Sequence, residues 1–451
     1  MGATVSLNEA SRPLDVLGVG FGPSNLALAI ALREVGREGG PDLACRFLER
    51  QDGFVWHGNM LLDGSRMQIS FVKDLVSMRD PTSPYSFLNY LHVHGRLQDF
   101  INLRTFYPTR REFNDYLAWV AGHFSDRCDY GEEVVALEPD VQDGRVHRLR
   151  VRARNRAGRE RAWLARNVVI GVGATPRVPD AFTGALTDAR VIHSSTYLAA
   201  VETLARAGRV AVIGFGQSAA EIFLDLHARG VAVDLIARSP AMRPADSSPF
   251  VNQIFDPAYT DYHYGRRAEE RDRILREFQN TNYAVVDPDL IETVYGLFYQ
   301  QRVERVDRHR LLPRHEVREV RLTGGPASGP EGVLLDLLSL DDGERHIRRY
   351  GGVVLATGYH RQQHHRLLEP LTPWLTGAWQ TGEGVRRDYR LATTDACTAG
   401  IFLQGCCEPT HGLSDTLLSV LPIRAREITA ALAAPYSGAG APERRTVAHA
   451  F

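Results

Sequence analysis

The chain has 451 residues, 44% of them apolar and 24% charged, with a formal net charge of −1. That length is enough for two or three domains. The balanced charge offers no basic field for nucleic acid or an anionic membrane, and no apolar run is long enough to span a bilayer.

The first thirteen residues lack the basic-then-apolar pattern of a secretory signal. Five cysteines, Cys45, Cys128, Cys397, Cys406 and Cys407, form no C-x-x-C pair. Neither a zinc ribbon nor a redox pair is therefore encoded, and reduced thiols in the cytoplasm are the expectation.

A strand is expected at 16–19 and a helix at 26–32, joined by Gly18-Val19-Gly20-Phe21-Gly22-Pro23-Ser24. This is the first half of a dinucleotide-binding βαβ unit. Gly18 would permit the tight turn, Gly20 would let the backbone approach a pyrophosphate, and the helix N-terminus would face that anion with free N–H groups. Pro23 replaces the third glycine and suits a first helical turn. The next strand, 43–48, ends at Glu49, whose carboxylate can accept from ribose hydroxyls. The loop with Trp56-His57 either walls a flavin or packs on the sheet. Gln68 and Lys73 follow in an apolar setting, where the lysine is either solvated or presented to a buried anion.

Helices are expected at 84–97 and 110–124 and strands at 134–151 and 163–172. A second fingerprint then appears. Gly214-Phe215-Gly216-Gln217-Ser218-Ala219 lies between a strand at 209–213 and a helix at 220–227, with Glu221 near the helix start. The strand at 231–236 runs into Arg238 instead of a carboxylate, which favours NADPH over NADH because a guanidinium binds a 2′-phosphate. An ordered loop at 247–257, a charged helix at 266–279 and a helix at 288–298 come next. A strand at 353–355 leads into Thr357-Gly358-Tyr359, a strand follows at 401–405, and one helix is expected from 411 to about 432. The Gly, Pro and Ala-rich tail reads as disordered.

The expected fold is α/β: two Rossmann-like dinucleotide-binding domains plus a small, mostly helical substrate region. FAD would occupy a discontinuous domain, 1–200 and 346–435. NADPH would occupy 205–345, with the substrate insertion around 246–305 and a disordered tail at 436–451.

These motifs, in this order from Asp15 to about Leu432, resemble the microbial N-hydroxylating flavin monooxygenases, the ornithine and lysine N-hydroxylases of siderophore biosynthesis. The resemblance implies that Gly18, Gly20, Gly22, Pro23 and Ser24 hold the FAD pyrophosphate and Glu49 its ribose. Trp56, His57, Gln68, Thr416 and Leu418 would lie against the flavin. Lys73 and Asn252 would hold the carboxylate and α-amino end of an amino-acid substrate, with Gln68, Asn282, Leu418 and Ser419 around it. Gly214, Gly216, Gln217, Ser218, Glu221, Arg238, Asn282, Thr357, Gly358 and Tyr359 would bind NADPH.

It further implies O₂ as co-substrate, a flavin C4a-hydroperoxide as oxidant, no metal and no covalent or acid–base side chain. A homotetramer is expected. The stretches 250–257 and 411–419 favour L-ornithine; L-lysine and the diamine putrescine are the alternatives. A Baeyer–Villiger or general flavin monooxygenase and a non-catalytic FAD/NADPH-binding protein are the rival classes. Two departures stand out. Gly351 occupies a position where the family often has an acid, and Phe182-x-Gly184 is followed by His193 only after a long gap.

Overall fold

The computed structural model describes residues 6–7, 12–325 and 329–434; the expected tail at 436–451 lies outside them. In chain order the first unit contains β1 (Leu14–Val19), α1 (Pro23–Arg37), β2 (Cys45–Glu49), α2 (Arg110–Gly122), β3 (Cys128–Tyr130), β4 (Glu132–Gln142), β5 (Arg145–Asn155) and β6 (Glu160–Ile170). Strand β6 is central. Its second half pairs in parallel with β1, and its first half pairs antiparallel with β5. The sheet order is β3-β2-β1-β6-β5-β4. The β4–β5 hairpin turns at Asp143 and Gly144, both at positive φ (49° and 71°), the pairing that matches right-handed strand twist.

The second unit is a five-stranded parallel sheet. It is built from β7 (Val191–His193), β8 (Arg209–Ile213), α3 (Gln217–Ala228), β9 (Ala232–Ile236), α4 (Pro257–Tyr264), α5 (Ala268–Phe278), α6 (Pro288–Val303), β10 (Arg310–Leu312) and β11 (Gly352–Leu355). Its order is β10-β9-β8-β11-β7. The chain then returns through β12 (Gly400–Leu403), parallel to β6, and α7 (Leu421–Ala433), which packs on α1.

Two sheets, each containing a strand, glycine turn and helix in succession, are as expected. The dividing lines differ. Both β7 and β11 lie in the second sheet, so the sheets part before 191 and after 355, not at 200 and 346. The chain crosses between units twice, and the two crossings pair antiparallel: Tyr359 with Pro176 and His360 with Thr175.

Three expected elements are redrawn by backbone chemistry. The helix at 84–97 is two, Phe87–Val93 and Leu97–Asn102, interrupted where Gly95 adopts φ +68°. The loop at 247–257 contains a helical turn, Pro249–Asn252, started by its proline. The helix expected from 411 is broken by Gly412 at φ +85° and by extended Leu417, and continuous helix begins only at Leu421.

The departure at Gly351 has a steric cause. A Cβ there would lie 1.7 Å from the backbone oxygen of Ala207, so no side chain fits without moving the connection before β8.

The second unit also pairs a buried imidazole, His309, with the half-buried His227. The Val233 N–H donates to His309 Nδ1 at 3.2 Å, leaving His309 Nε2–H to face His227 Nδ1 at 2.9 Å. This arrangement requires a neutral His309. Burial, with the neighbouring His227 and Arg308, pushes its pKa down to about 4. An unfolded histidine titrates near 6.5. Stability is therefore full above about pH 6.5 and falls as pH drops towards 4. We expect melting curves to lose about 1 kcal/mol on going from pH 7.5 to 5.5 through this group, and His309→Leu to flatten that slope.

Candidate active site

The first glycine turn divides its labour differently from the sequence expectation. Gly18 lies within β1, and its missing side chain admits the Phe47 ring, 2.2 Å from where a Cβ would be. Gly20 makes the turn at φ +82°, where a Cβ would also lie 2.6 Å from Gly171 O. Gly22 is the open position: a Cβ there would meet nothing within 4 Å. It caps α1 with no side-chain bond and no acid in the first turn, so the N–H donors face outward.

Buried Asn25 pins this turn, donating to Gly20 O at 2.7 Å and accepting from Gln404 Nε2 at 2.8 Å. Glu49 is buried and held by the N–H groups of Phe21 (2.8 Å) and Gln51 (2.9 Å). Pro23 is the first helical residue, and Ser24 Oγ accepts from Arg424 at 2.9 Å. This set fits a dinucleotide: free helix N–H groups for a pyrophosphate and a fixed carboxylate at the next strand end.

Trp56 is fixed by its N–H to Asn114 Oδ1 (2.8 Å), and its ring stands edge-on to His57 at 4.4 Å. His57 is exposed at the surface; the protein packed around it, with Arg110 and Arg361, pushes its pKa down to about 4, which keeps the ring neutral. The following turn inserts Met60 and Leu62 into the core of the second unit.

At the second turn, Gly214 adopts φ +136° with Ala356 O 2.4 Å from where a Cβ would be, and Gly216 caps α3 with no acid in the first turn. Ser218 lies in that turn, and Arg238 is exposed at the end of β9. The set fits an NADPH phosphate. Glu221 does not join it. The Arg110 guanidinium grips Glu221 with two bonds of 2.9 and 2.8 Å in a buried pair between units. Thr357 and Gly358 are likewise occupied at the crossing: the Thr357 hydroxyl donates to Arg177 O, and Gly358 O accepts from Arg177 N and His193.

A polar chain runs across the interface. Gln68 donates to Asp287 Oδ1 (3.0 Å), and Gln217 donates to Asp287 Oδ2 (3.0 Å) and Glu221 (3.0 Å). Asp287, which the motifs did not mark, is the joint between expected flavin and NADPH residues; burial raises its pKa.

The residues that follow Asn282 reach towards both expected sites. A Cβ at Gly216 would lie 3.6 Å from Ala284 Cα, and the Tyr283 hydroxyl bonds Glu408 and reaches Thr416 Oγ1 at 3.2 Å. Tyr283, Glu408 and Thr416 line a cavity of about 300 Å³ with Tyr359, Arg361 and Cys406. The turn after Asn252, Gln253–Phe255, packs on the Leu413–Thr416 turn, which brings the helical insertion towards Leu418 and Ser419. Asn252 Nδ2 donates to Ser247 O at 2.9 Å. Ser419 Oγ is buried without a partner among the described residues.

Lys73 is half-buried, on a turn locked by its neighbour. Buried Asp74 accepts from the N–H groups of Val76 (2.9 Å), Ser77 (2.7 Å) and Phe87 (2.7 Å). Asp74 was missed; its signal was an acid beside the one candidate cation. A second signal was also passed over. Of 53 basic residues in the sequence, Lys73 is the single lysine.

Residues 12–361 match the family model described as L-lysine 6-monooxygenase/L-ornithine 5-monooxygenase. The chain belongs to that family. It is 50% identical over 424 residues to an L-ornithine N(5)-monooxygenase of Pseudomonas aeruginosa, covering 93% of each chain. Among solved structures, ornithine hydroxylase (PvdA) from Pseudomonas aeruginosa superposes with a TM-score of 0.88 at 49% identity, covering 94% of this chain and 99% of that one. The ornithine N-hydroxylase of Kutzneria sp. 744, a structure titled with reduced FAD, NADP⁺ and L-ornithine, gives 0.86 at 37% identity, covering 93% and 99%. The two-turn architecture is thus the family's own. Among the described residues no helix is long and apolar enough to cross a membrane.

Proposed function

We propose that this chain hydroxylates the side-chain amine of L-ornithine at N5, using FAD, NADPH and O₂, as a step towards a hydroxamate siderophore. The observation that carries the reading is the pair of open, acid-free helix N-termini, with the residues that follow Asn282 reaching towards both and Lys73 on a rigid turn. The ornithine enzymes among its relatives support the choice of substrate.

A bound flavin would supply acceptance of hydride from NADPH and activation of O₂ for oxygen transfer to an amine. The protein's own contribution is placement and exclusion of water. The Lys73 ammonium faces the substrate carboxylate and selects an amino acid over a bare diamine. Asn252 and Ser419 Oγ supply hydrogen-bonding groups at the amino-acid end. Gln68, Asp287 and Gln217 fix the spacing between the two dinucleotide sites. Neutral His57 keeps an added positive charge away from the flavin cleft.

The test is to follow NADPH oxidation and hydroxylamine formation together with ornithine, lysine and putrescine on the FAD-loaded enzyme. Product from ornithine alone, matched to NADPH consumed, is the expected result. Product from lysine or putrescine instead would overturn the substrate. NADPH oxidation without hydroxylamine from any of the three would overturn the reaction.

A further inference from the structure

Helix α6 has two unlike faces. Leu290, Ile291, Val294, Leu297 and Phe298 pack against the core of the second unit. The opposite face shows Tyr295 (70% exposed), Tyr299 (60%) and Val303 (58%). These are large apolar groups at helical spacing, where a solvated helix would carry charge. Exposed Gly296 lies between the tyrosines, and a Cβ there would meet nothing within 4 Å. A glycine there weakens the helix and serves no packing inside the chain. It leaves a hollow of about 510 Å³ bordered by Ile291, Glu292, Tyr295 and Tyr299.

The face is also symmetric about Leu297. Tyr295 and Tyr299 stand two residues either side of it, Glu292 and Arg302 five, and Ile291 and Val303 six. Glu292 and Arg302 lie ten residues apart on one helix, about 15 Å, too far to pair with each other. Glu304, the acid nearest Arg302 in the chain, is engaged by Gln300 Nε2 at 2.9 Å. When a second α6 is laid antiparallel across the first, these three pairs meet their counterparts. Each Glu292 faces an Arg302 and each Tyr295 faces a Tyr299. Such a self-complementary patch is what a closed two-fold contact requires, and like copies in the parallel sense would set acid against acid.

We propose that the exposed face of α6 is a two-fold docking surface for a second copy of this chain, registered by reciprocal Glu292–Arg302 pairs. The contact accounts for one dimer; a tetramer would need another surface. It stands apart from the hydroxylation reading, because it uses no residue of the cleft.

The test is sedimentation velocity on the FAD-loaded full chain, with Glu292→Arg, Arg302→Glu and the double charge swap. All three changes lie on exposed side chains, so unaltered melting curves verify folding. The wild type is expected to sediment as an even-numbered assembly. Either single change should weaken the dimer at least tenfold and shift the mass to half. The double swap, which restores opposite charges only between antiparallel copies, should recover assembly. A monomeric wild type, singles that assemble like the wild type, or a double swap as dissociated as the singles would each overturn the proposal. Ornithine hydroxylation, assayed on the same samples, reports separately on the reaction.

Discussion

Replacing Lys73 by alanine is expected to raise the KM for L-ornithine about 100-fold, while flavin reduction by NADPH proceeds as before. The substrate carboxylate would lose its counter-ion in a half-buried site, and an unpaired charge there costs on the order of 3 kcal/mol. A bare diamine has no carboxylate, so putrescine kinetics should scarcely change. The ratio of kcat/KM for ornithine over putrescine should then collapse, which separates a lost ion pair from general damage. Lys73→Arg should recover only part of the effect. The planar, wider guanidinium cannot reproduce a compact ammonium on a turn fixed by Asp74. Steady-state kinetics with both substrates settle the assignment, and an unchanged ornithine KM in Lys73→Ala would remove it.

Arg110→Met should be the most damaging change outside the substrate region. Arg110 and Glu221 form a buried, two-bond pair between α2 and α3, and Arg110 also donates to Met60 O at 2.8 Å. Removing one partner leaves a carboxylate with little solvent and, among the described residues, only Gln217 Nε2 to satisfy it, a loss of about 3 kcal/mol or more. Calorimetry should show it as a lower melting temperature. Because Gln217 also holds Asp287, the KM for NADPH should rise as well. The companion Glu221→Gln in the same chain removes the stranded charge and should restore most of the melting temperature. If Arg110→Met melts like the wild type, the pair contributes nothing to joining the two units.

Much of this was legible from local chemistry. Two strand–glycine–helix strings have one meaning for a backbone, and each produced the expected turn and an open helix end. The acid that ends β2 and the arginine after β9 lie where the spacing placed them. Pairwise tertiary contacts were not legible. Gly18 looks like a turn glycine until Phe47 is seen against it, and Glu221 looks like part of a nucleotide turn until Arg110, 111 residues earlier, reaches it. Sheet membership was hidden for the same reason. The short strands β7 and β11 are apolar runs that could serve either sheet, and only their register assigns them to the second. Asp74, Tyr283 and Asp287 carry no motif of their own; they matter through what they hold.

The solitary lysine turns the chain into its own reporter. Feeding lysine labelled with ¹⁵N at Nζ alone to an expression host would label one side chain in a protein of 50.2 kDa, and that side chain stands at the expected substrate carboxylate. A lysine-specific protease would have a single cleavage point, after residue 73, on a turn that four hydrogen bonds to Asp74 hold closed. One resonance and one scissile bond would then follow occupancy of the cleft without any engineered tag.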